Sequence, residues 1–218
     1  MRAEGVGMTS QRARDRLVPL LQSLGIRDMM VLMAIRQTPR HLFVEEALAG
    51  RAYENIALPI GYGQTISQPY TVARMTELVM EHRPRRVLEV GTGSGYQAAV
   101  LAQLEVEVYT VERIAKLHQR SRRLLAELGL DRVHCHLAGN EPGWPEQAPF
   151  DAILMTAAAE SAPSGLLEQL APGGALVLPL GSPGERQVLT RIVRRDEGFE
   201  QESIEDVHFV PFVQGEAE

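Results

Sequence analysis

At 218 residues the chain is long for one ordinary domain and short for two, so a single core with appendages is expected. Hydrophobic residues at 44%, charged residues at 23%, 19 glycines and 13 prolines exclude collagen-like and disordered classes, and a lone cysteine, Cys135, excludes a disulfide scaffold. A net charge of −6 offers nothing that draws the whole chain to nucleic acid or an anionic membrane, and no run approaches the ~18 apolar residues of a membrane span.

The first thirty residues lack the order of a secretory signal, so the cytoplasm is the expected compartment. Met1 to Ser10 reads as a leader in which Met8 is a second possible start. From Gln11 to about Arg51 the pattern is helical: Leu17, Leu20, Leu21 and Leu24 recur at three- and four-residue steps up to Gly25. Val31, Leu32 and Ile35 repeat the spacing up to Pro39. Glu54 to Tyr70 is dense in Pro59, Gly61, Gly63 and Pro69, lacks amphipathic period and reads as an ordered loop. Loops of that length inside compact domains are often functional.

Beyond Thr71, helical and β-rich runs alternate. Helices are expected over Thr71 to Glu81, Tyr96 to Leu104, Ile114 to Leu128 and Ser164 to Leu170. Strands are expected over Arg86 to Val90, Val106 to Val111, Val133 to Leu137, Phe150 to Met155 and Ala175 to Leu180. Gln187 to Val193 and Val207 to Val213 follow with no helix between them, which suggests an antiparallel pair. The whole implies a doubly wound α/β fold, a mostly parallel seven-stranded sheet with an antiparallel edge and an N-terminal helical extension.

Directly after RVLEV come Gly91, Thr92, Gly93, Ser94 and Gly95, and Tyr96 opens a helix. Glycines let the backbone turn tightly and a ligand approach it, while the helix start offers free N–H groups. The spacing departs from the dinucleotide fingerprint at its third glycine, where Tyr96 stands, and the lysine of a P-loop is missing. Glu112 ends the next strand, where a carboxylate can accept from both hydroxyls of a ribose. Glu89, inside the first sheet strand, is a carboxylate at a position expected to be buried, and it needs a partner such as loop N–H groups or a ligand ammonium.

Strand, glycine turn, helix, Glu89 and Glu112 together resemble the class I S-adenosylmethionine-dependent methyltransferases, which are Rossmann-like. Gly63 to Tyr70 (GQTISQPY) resembles the signature of protein-L-isoaspartate O-methyltransferases. So do LEVGTGSGYQ at 88–97, VERI at 111–114, PFDAILMTAA at 149–158, LAPGGALVLPLG at 170–181 and FVPFVQG at 209–215. The resemblance implies an enzyme that transfers a methyl group from S-adenosyl-L-methionine to the carboxylate of L-isoaspartyl residues in damaged proteins, leaving S-adenosyl-L-homocysteine. It implies cofactor binding by Glu89, Gly91, Thr92, Gly93, Ser94, Gly95, Glu112, Gly139, Asn140 and Gln68, and substrate binding by Thr65, Ile66, Ser67 and Ala157. Pro69 and Tyr70 would line the same wall, and Ser67 would be the catalytic residue, orienting the attacking carboxylate rather than serving as a nucleophile. Read without the resemblance, Ser67 is a turn or helix N-cap serine ahead of the helix that follows. Residues 1–70 are then helices and the substrate loop, packed on a methyltransferase domain at 71–218. Isoaspartyl proteins and peptides are the expected partners of a monomer, with no nucleic acid, membrane or metal.

Two stretches depart from the family pattern. After the third strand the family places an acid in a Gly-Asp-Gly turn that contacts the adenine amine, whereas here Ala138-Gly139-Asn140 stands, and Asn140 is the substitute donor or acceptor. Ala157 to Pro163 differs from the proline-rich version in relatives. These departures keep open a carboxyl methyltransferase with a dedicated peptide or small-acid substrate, and a cofactor-binding fold without turnover is the third reading. His134 and His136 share a strand face but lack a third metal ligand, and Trp144 reads as a packing anchor.

Overall fold

The structure, a computed structural model, describes residues 11–182 and 184–213. The expected leader, Met1 to Ser10, and Gln214 and Gly215 of the C-terminal motif lie outside the described residues.

Two helices come first, α1 (Gln11–Ser23) and α2 (Met29–Gln37). Asp28 caps α2, its Oδ1 accepting from the N–H groups of Met30 at 2.7 Å and Val31 at 3.2 Å. The helix stops at Thr38, ahead of Pro39, whose ring disfavours helical geometry in the preceding residue. Leu17 and Leu21 are buried, but Leu20 and Leu24 of the same apparent stripe are exposed, so the buried face of α1 is narrower than its leucines suggest. Two short 3-10 turns, Arg40–Phe43 and Glu46–Arg51, lead on.

Where an ordered loop was expected, the chain forms an antiparallel hairpin of β1 (Leu58–Gly61) and β2 (Gln64–Ile66). Leu58 and Ile60 point into the core while Pro59 between them is exposed, a period-2 pattern too short to be read from four residues. The next helix, α3 (Pro69–Met80), starts two residues before the expected Thr71, with Pro69 preset for the first helical turn.

The main sheet has seven strands in the order β5-β4-β3-β6-β7-β8-β9. They are β3 (Arg86–Val90), β4 (Glu107–Glu112), β5 (Val133–Leu137), β6 (Phe150–Met155), β7 (Leu170–Leu180), β8 (Gln187–Arg195) and β9 (Gly198–Val207). Helices α4 (Tyr96–Ala102), α5 (Ala115–Glu127) and α6 (Ser164–Glu168) make the crossovers. β3 through β7 pair in parallel, and β7-β8 and β8-β9 are antiparallel. The central strand β3 is buried from Val87 to Val90 and its neighbours β4 and β6 continue in opposite directions, so the strand order reverses at its C-terminal end. Crevices at such reversals are where open α/β sheets hold ligands.

The antiparallel edge is present but its last strand is displaced. The expected strand at Val207 to Val213 is instead Gly198–Val207, paired from Arg195↔Gly198 to Gln187↔Val207. Six of its first six residues are exposed and most are charged or polar, as suits an edge strand, so no apolar pattern announces it. The apolar 209–213 stretch serves another purpose. The Ala158 N–H donates to the Val210 carbonyl at 2.8 Å and the Phe212 N–H to the Ala158 carbonyl at 2.7 Å, strapping this segment beside the end of β6.

The N-terminal helices share one apolar cluster with Tyr96 and Val100 of α4 and Leu117 and Leu125 of α5. Phe43 meets the Tyr96 ring edge-on at 5.4 Å. This layer therefore packs against the helix that opens straight after the glycine turn.

Candidate active site

The cleft lies at the C-terminal end of β3, with about 170 Å³ of it reachable by the centre of a water molecule. A single water needs only about 10–15 Å³ on that measure, so the cleft suits a multi-ring ligand.

One wall is the glycine turn. The N–H groups of Gly91 and Thr92 both donate to the Val111 carbonyl, at 2.9 and 3.1 Å, which folds the turn back over β4. Gly91 has φ +101°, and a β-carbon there would fall 2.4 Å from Thr156 Oγ1, so glycine is required on both counts. Glu112 ties the turn to the exit of β4: Oε2 accepts from the Gly93 N–H at 2.8 Å and Oε1 from the Ile114 N–H at 2.9 Å. Each carboxylate oxygen retains a further acceptor site, so Glu112 is both a strut of the turn and an acceptor facing the cleft.

Beneath the turn, Glu89 is fully buried. Its Oε2 accepts from Thr110 Oγ1 at 2.6 Å, and Thr110 in turn lies 2.6 Å from Thr92 Oγ1 of the glycine turn. Its Oε1 is buried with no partner among the described residues, and the residue lines the cleft. Burial, with the Glu112 charge adding to it and the Thr110 bond opposing, pushes the Glu89 carboxyl up to about 8. An orphaned buried oxygen at a cleft wall is the observation that fits a cationic ligand group.

The facing wall comes from β2 and the start of α3. Gln64, Thr65, Ile66 and Ser67 line the cleft. The N-cap of α3 is Gln68, with no side-chain capping bond, and Ser67 Oγ makes no hydrogen bond among the described residues, which overturns the N-cap reading of Ser67. The segment is pinned from both sides. The Tyr70 N–H donates to Asn55 Oδ1 at 2.9 Å, and the Tyr70 hydroxyl donates to Glu205 Oε2 on β9 at 2.8 Å. Burial and the Glu205 bond push the Tyr70 hydroxyl up to about 12, so it stays a donor.

Of the expected residues, the cleft brings together Thr65, Ile66, Ser67, Glu89, Gly91, Thr92, Gly93, Ser94, Glu112, Gly139 and Ala157. Gln68, Pro69, Tyr70, Gly95 and Asn140 are not among its lining residues. Gly95 instead faces α5, where a β-carbon would meet Leu125 and Ser121 at 3.2–3.3 Å.

Sequence reasoning missed Thr156, Glu141 and the Val210 to Phe212 strap, all of which line the cleft. Thr156 directly follows β6, the other parallel neighbour of β3, so asking which residue faces the glycine turn across the switch point would have found it. Its hydroxyl donates to the Val90 and Gly91 carbonyls at 3.1 and 2.7 Å.

His134 Nε2 lies 2.9 Å from Glu107 Oε2, and His136 stacks on Trp144 with ring centroids 4.5 Å apart. Trp144 also meets Tyr109 edge-on at 5.7 Å, an aromatic packing cluster behind Gly143 of the cleft rim.

Comparison with known proteins gives a consistent result. The family description Protein-L-isoaspartate(D-aspartate) O-methyltransferase matches residues 12–217. A protein-L-isoaspartate O-methyltransferase of Chromohalobacter salexigens is 56% identical over 214 residues, 98% of this chain and 93% of the relative. One of Halorhodospira halophila is 55% identical over 98% of this chain and 97% of the relative. A solved protein-L-isoaspartate O-methyltransferase superposes with a TM-score of 0.84 at 27% identity, covering 93% of this chain and 67% of that one. A Plasmodium falciparum beta-aspartate methyltransferase, solved in complex with S-adenosyl-L-homocysteine, gives 0.78 at 25% identity, covering 91% and 97%.

Proposed function

The chain belongs to the protein-L-isoaspartate(D-aspartate) O-methyltransferase family, and on that premise we propose how its cleft carries out the reaction. The protein transfers a methyl group from S-adenosyl-L-methionine to the carboxylate of L-isoaspartyl residues in damaged proteins and peptides, leaving S-adenosyl-L-homocysteine. The observation that carries the mechanism is that one cleft is lined by both the glycine turn with Glu112 and the Thr65 to Ser67 segment.

When bound, the cofactor supplies an electrophilic methyl group on a sulfonium. The backbone of Gly91 to Ser94 would hold its methionine part and the free acceptor sites of Glu112 its ribose, with Gly139 on the adenine side. Glu89, ionised once a cation stands beside it, would accept through Oε1 from its ammonium, which gives the orphaned oxygen a partner. Thr65, Ile66 and Ala157 flank the isoaspartyl side chain. Ser67 Oγ, otherwise unbonded, donates to one carboxylate oxygen and leaves the other aimed at the methyl group.

No residue need remove a proton, because a carboxyl with an ordinary value near 4 is ionised at neutral pH. The task left to the chain is orientation and exclusion of water. Met75, Ile66 and the Val210 to Phe212 strap supply apolar walls for that.

Residues 1–70 and 71–218 work as one unit, consistent with their shared apolar cluster. We place the protein in the cytoplasm as a monomer acting on isoaspartyl polypeptides, without nucleic-acid or membrane partners, as suits a chain with net charge −6 and one cysteine. Among the described residues no helix is long and apolar enough to cross a membrane. The product tests the chemistry: label transferred to a carboxylate is released as methanol by mild alkali, whereas label retained through that treatment would indicate methylation of another group.

A further inference from the structure

The hairpin that carries the substrate wall ends in an irregular choice of residue. β1 and β2 are joined by two residues, Tyr62 and Gly63, with Gly61 paired to Gln64. Their φ angles are +54° and +67°, both left-handed as at the centre of the type I′ turns of tight hairpins, and Gly61 before them, at +91°, follows a shift in register between Pro59 and Gly61. That turn favours asparagine, aspartate or glycine at its first position, since a bulky side chain is strained there.

Tyr62 is strained and gains little burial in return, being 60% exposed. Among the described residues, the two other non-glycine residues with positive φ, Arg83 and Glu105, lie just beyond the ends of α3 and α4, where a left-handed residue ends a helix. Tyr62 has no such role, and an asparagine or glycine would make the same turn better. Strain that local structure does not require points toward function.

From this tip the strand runs straight to the cleft, with Gln64 and Thr65 already lining it and Ser67 next after the strand. At about 3.3 Å per residue, Tyr62 stands at most roughly 16 Å from Ser67, a span that about five residues of extended chain cover. We propose that Tyr62 is a docking contact for the polypeptide substrate. Its ring packs against the segment that leaves the cleft along β2, some four or five residues from the isoaspartyl residue. The inference rests on the isoaspartyl methyltransferase reading and deepens it. A tyrosine offers broad contact area at low side-chain entropy and is tolerant of what it touches, which suits a site that must accept damage in many sequence contexts.

The test uses Tyr62→Gly and Tyr62→Asn in the full chain with two substrates. One is an isoaspartyl peptide with five residues on either side of the damaged residue, and the other is a blocked isoaspartyl tripeptide. The proposal predicts that KM for the long peptide rises about fivefold while its kcat is retained. KM for the tripeptide stays within about twofold, and melting temperature is equal or higher because both replacements relieve strain. An unchanged KM for the long peptide would overturn the proposal. So would an equal rise for both substrates, which would mean that the hairpin itself had shifted. Wild-type protein that methylates neither peptide would instead overturn the functional reading, and the docking role with it.

Discussion

Gly91 and Thr156 are interlocked: the threonine hydroxyl donates to the Gly91 carbonyl at 2.7 Å, and a β-carbon on Gly91 would lie 2.4 Å from that same oxygen. The cofactor turn after β3 is thereby fixed to the end of β6, on the far side of the switch point from Glu112. Gly91→Ala must rotate the threonine away, break its bonds and hold a β-carbon at φ +101°. We expect a loss of about 2–4 kcal/mol in urea unfolding and at least a tenfold weaker affinity for S-adenosylhomocysteine. Unchanged stability would mean that the turn relaxes freely, contrary to this geometry.

In the proposed mechanism Ser67 supports orientation alone. Its hydroxyl makes no hydrogen bond among the described residues, so Ser67→Ala disturbs nothing already formed. Turnover should fall roughly 10- to 100-fold, with cofactor affinity, measured by calorimetry, held within twofold. Equal losses of both would show that Ser67 instead props the cofactor wall.

Glu112 should behave in the reverse way. Removing its carboxylate takes away two bonds that hold Gly93 and Ile114 as well as the proposed ribose acceptor. Glu112→Ala is expected to weaken S-adenosylhomocysteine binding by roughly 30-fold or more, while saturating cofactor restores much of kcat. Wild-type affinity in this variant would rule out its place at the ribose.

Glu89 gives the fold a pH dependence of unusual sign. Its value in the folded protein, about 8, lies above the ordinary 4.5, so between those pH values the native state keeps a proton that the unfolded chain has released. Its contribution to stability therefore falls as pH rises through that window, by up to about 1.4 kcal/mol per unit, and is flat above it. Glu89→Gln lacks this slope. Against wild type it should gain roughly 2–3 kcal/mol of relative stability between about pH 5.5 and 7.5 in paired urea titrations. His41, His82 and His118, all held below their ordinary value by burial, titrate in both proteins and cancel. Parallel pH profiles would show that Glu89 is ionised in the ligand-free fold.

How much of this was legible beforehand follows from where each signal resides. The parallel strands are apolar runs because they are buried on both faces, so β3 and β6 were found at their true limits. The glycine turn was legible because backbone geometry restricts residue type there, and Glu112 does line the same cleft at the end of the next strand. The β1-β2 hairpin was not legible, since strands of four and three residues, with Pro59 and Gly61 inside the first and Gly63 between them, look like turn chemistry throughout. β9 was lost for the opposite reason, an exposed edge strand written in charged residues, while the apolar Phe209 to Val213 stretch drew the strand assignment although it straps the cleft. Ser67 carried no physical signal of its own and came only through the family resemblance. Thr156 and Glu141 face the cleft through loop paths that no local pattern encodes.

The central claim is that this cleft aligns an isoaspartyl carboxylate, and not an ordinary one, with the methyl donor. The direct measurement is transfer of labelled methyl from S-adenosylmethionine to two synthetic peptides that differ only in one aspartyl linkage. Transfer to the isoaspartyl peptide alone, lost on Ser67→Ala with cofactor binding intact, is the predicted result. Transfer to both peptides, or to neither while S-adenosylhomocysteine still binds, would contradict the account and point to a dedicated substrate or to a fold that binds cofactor without turnover.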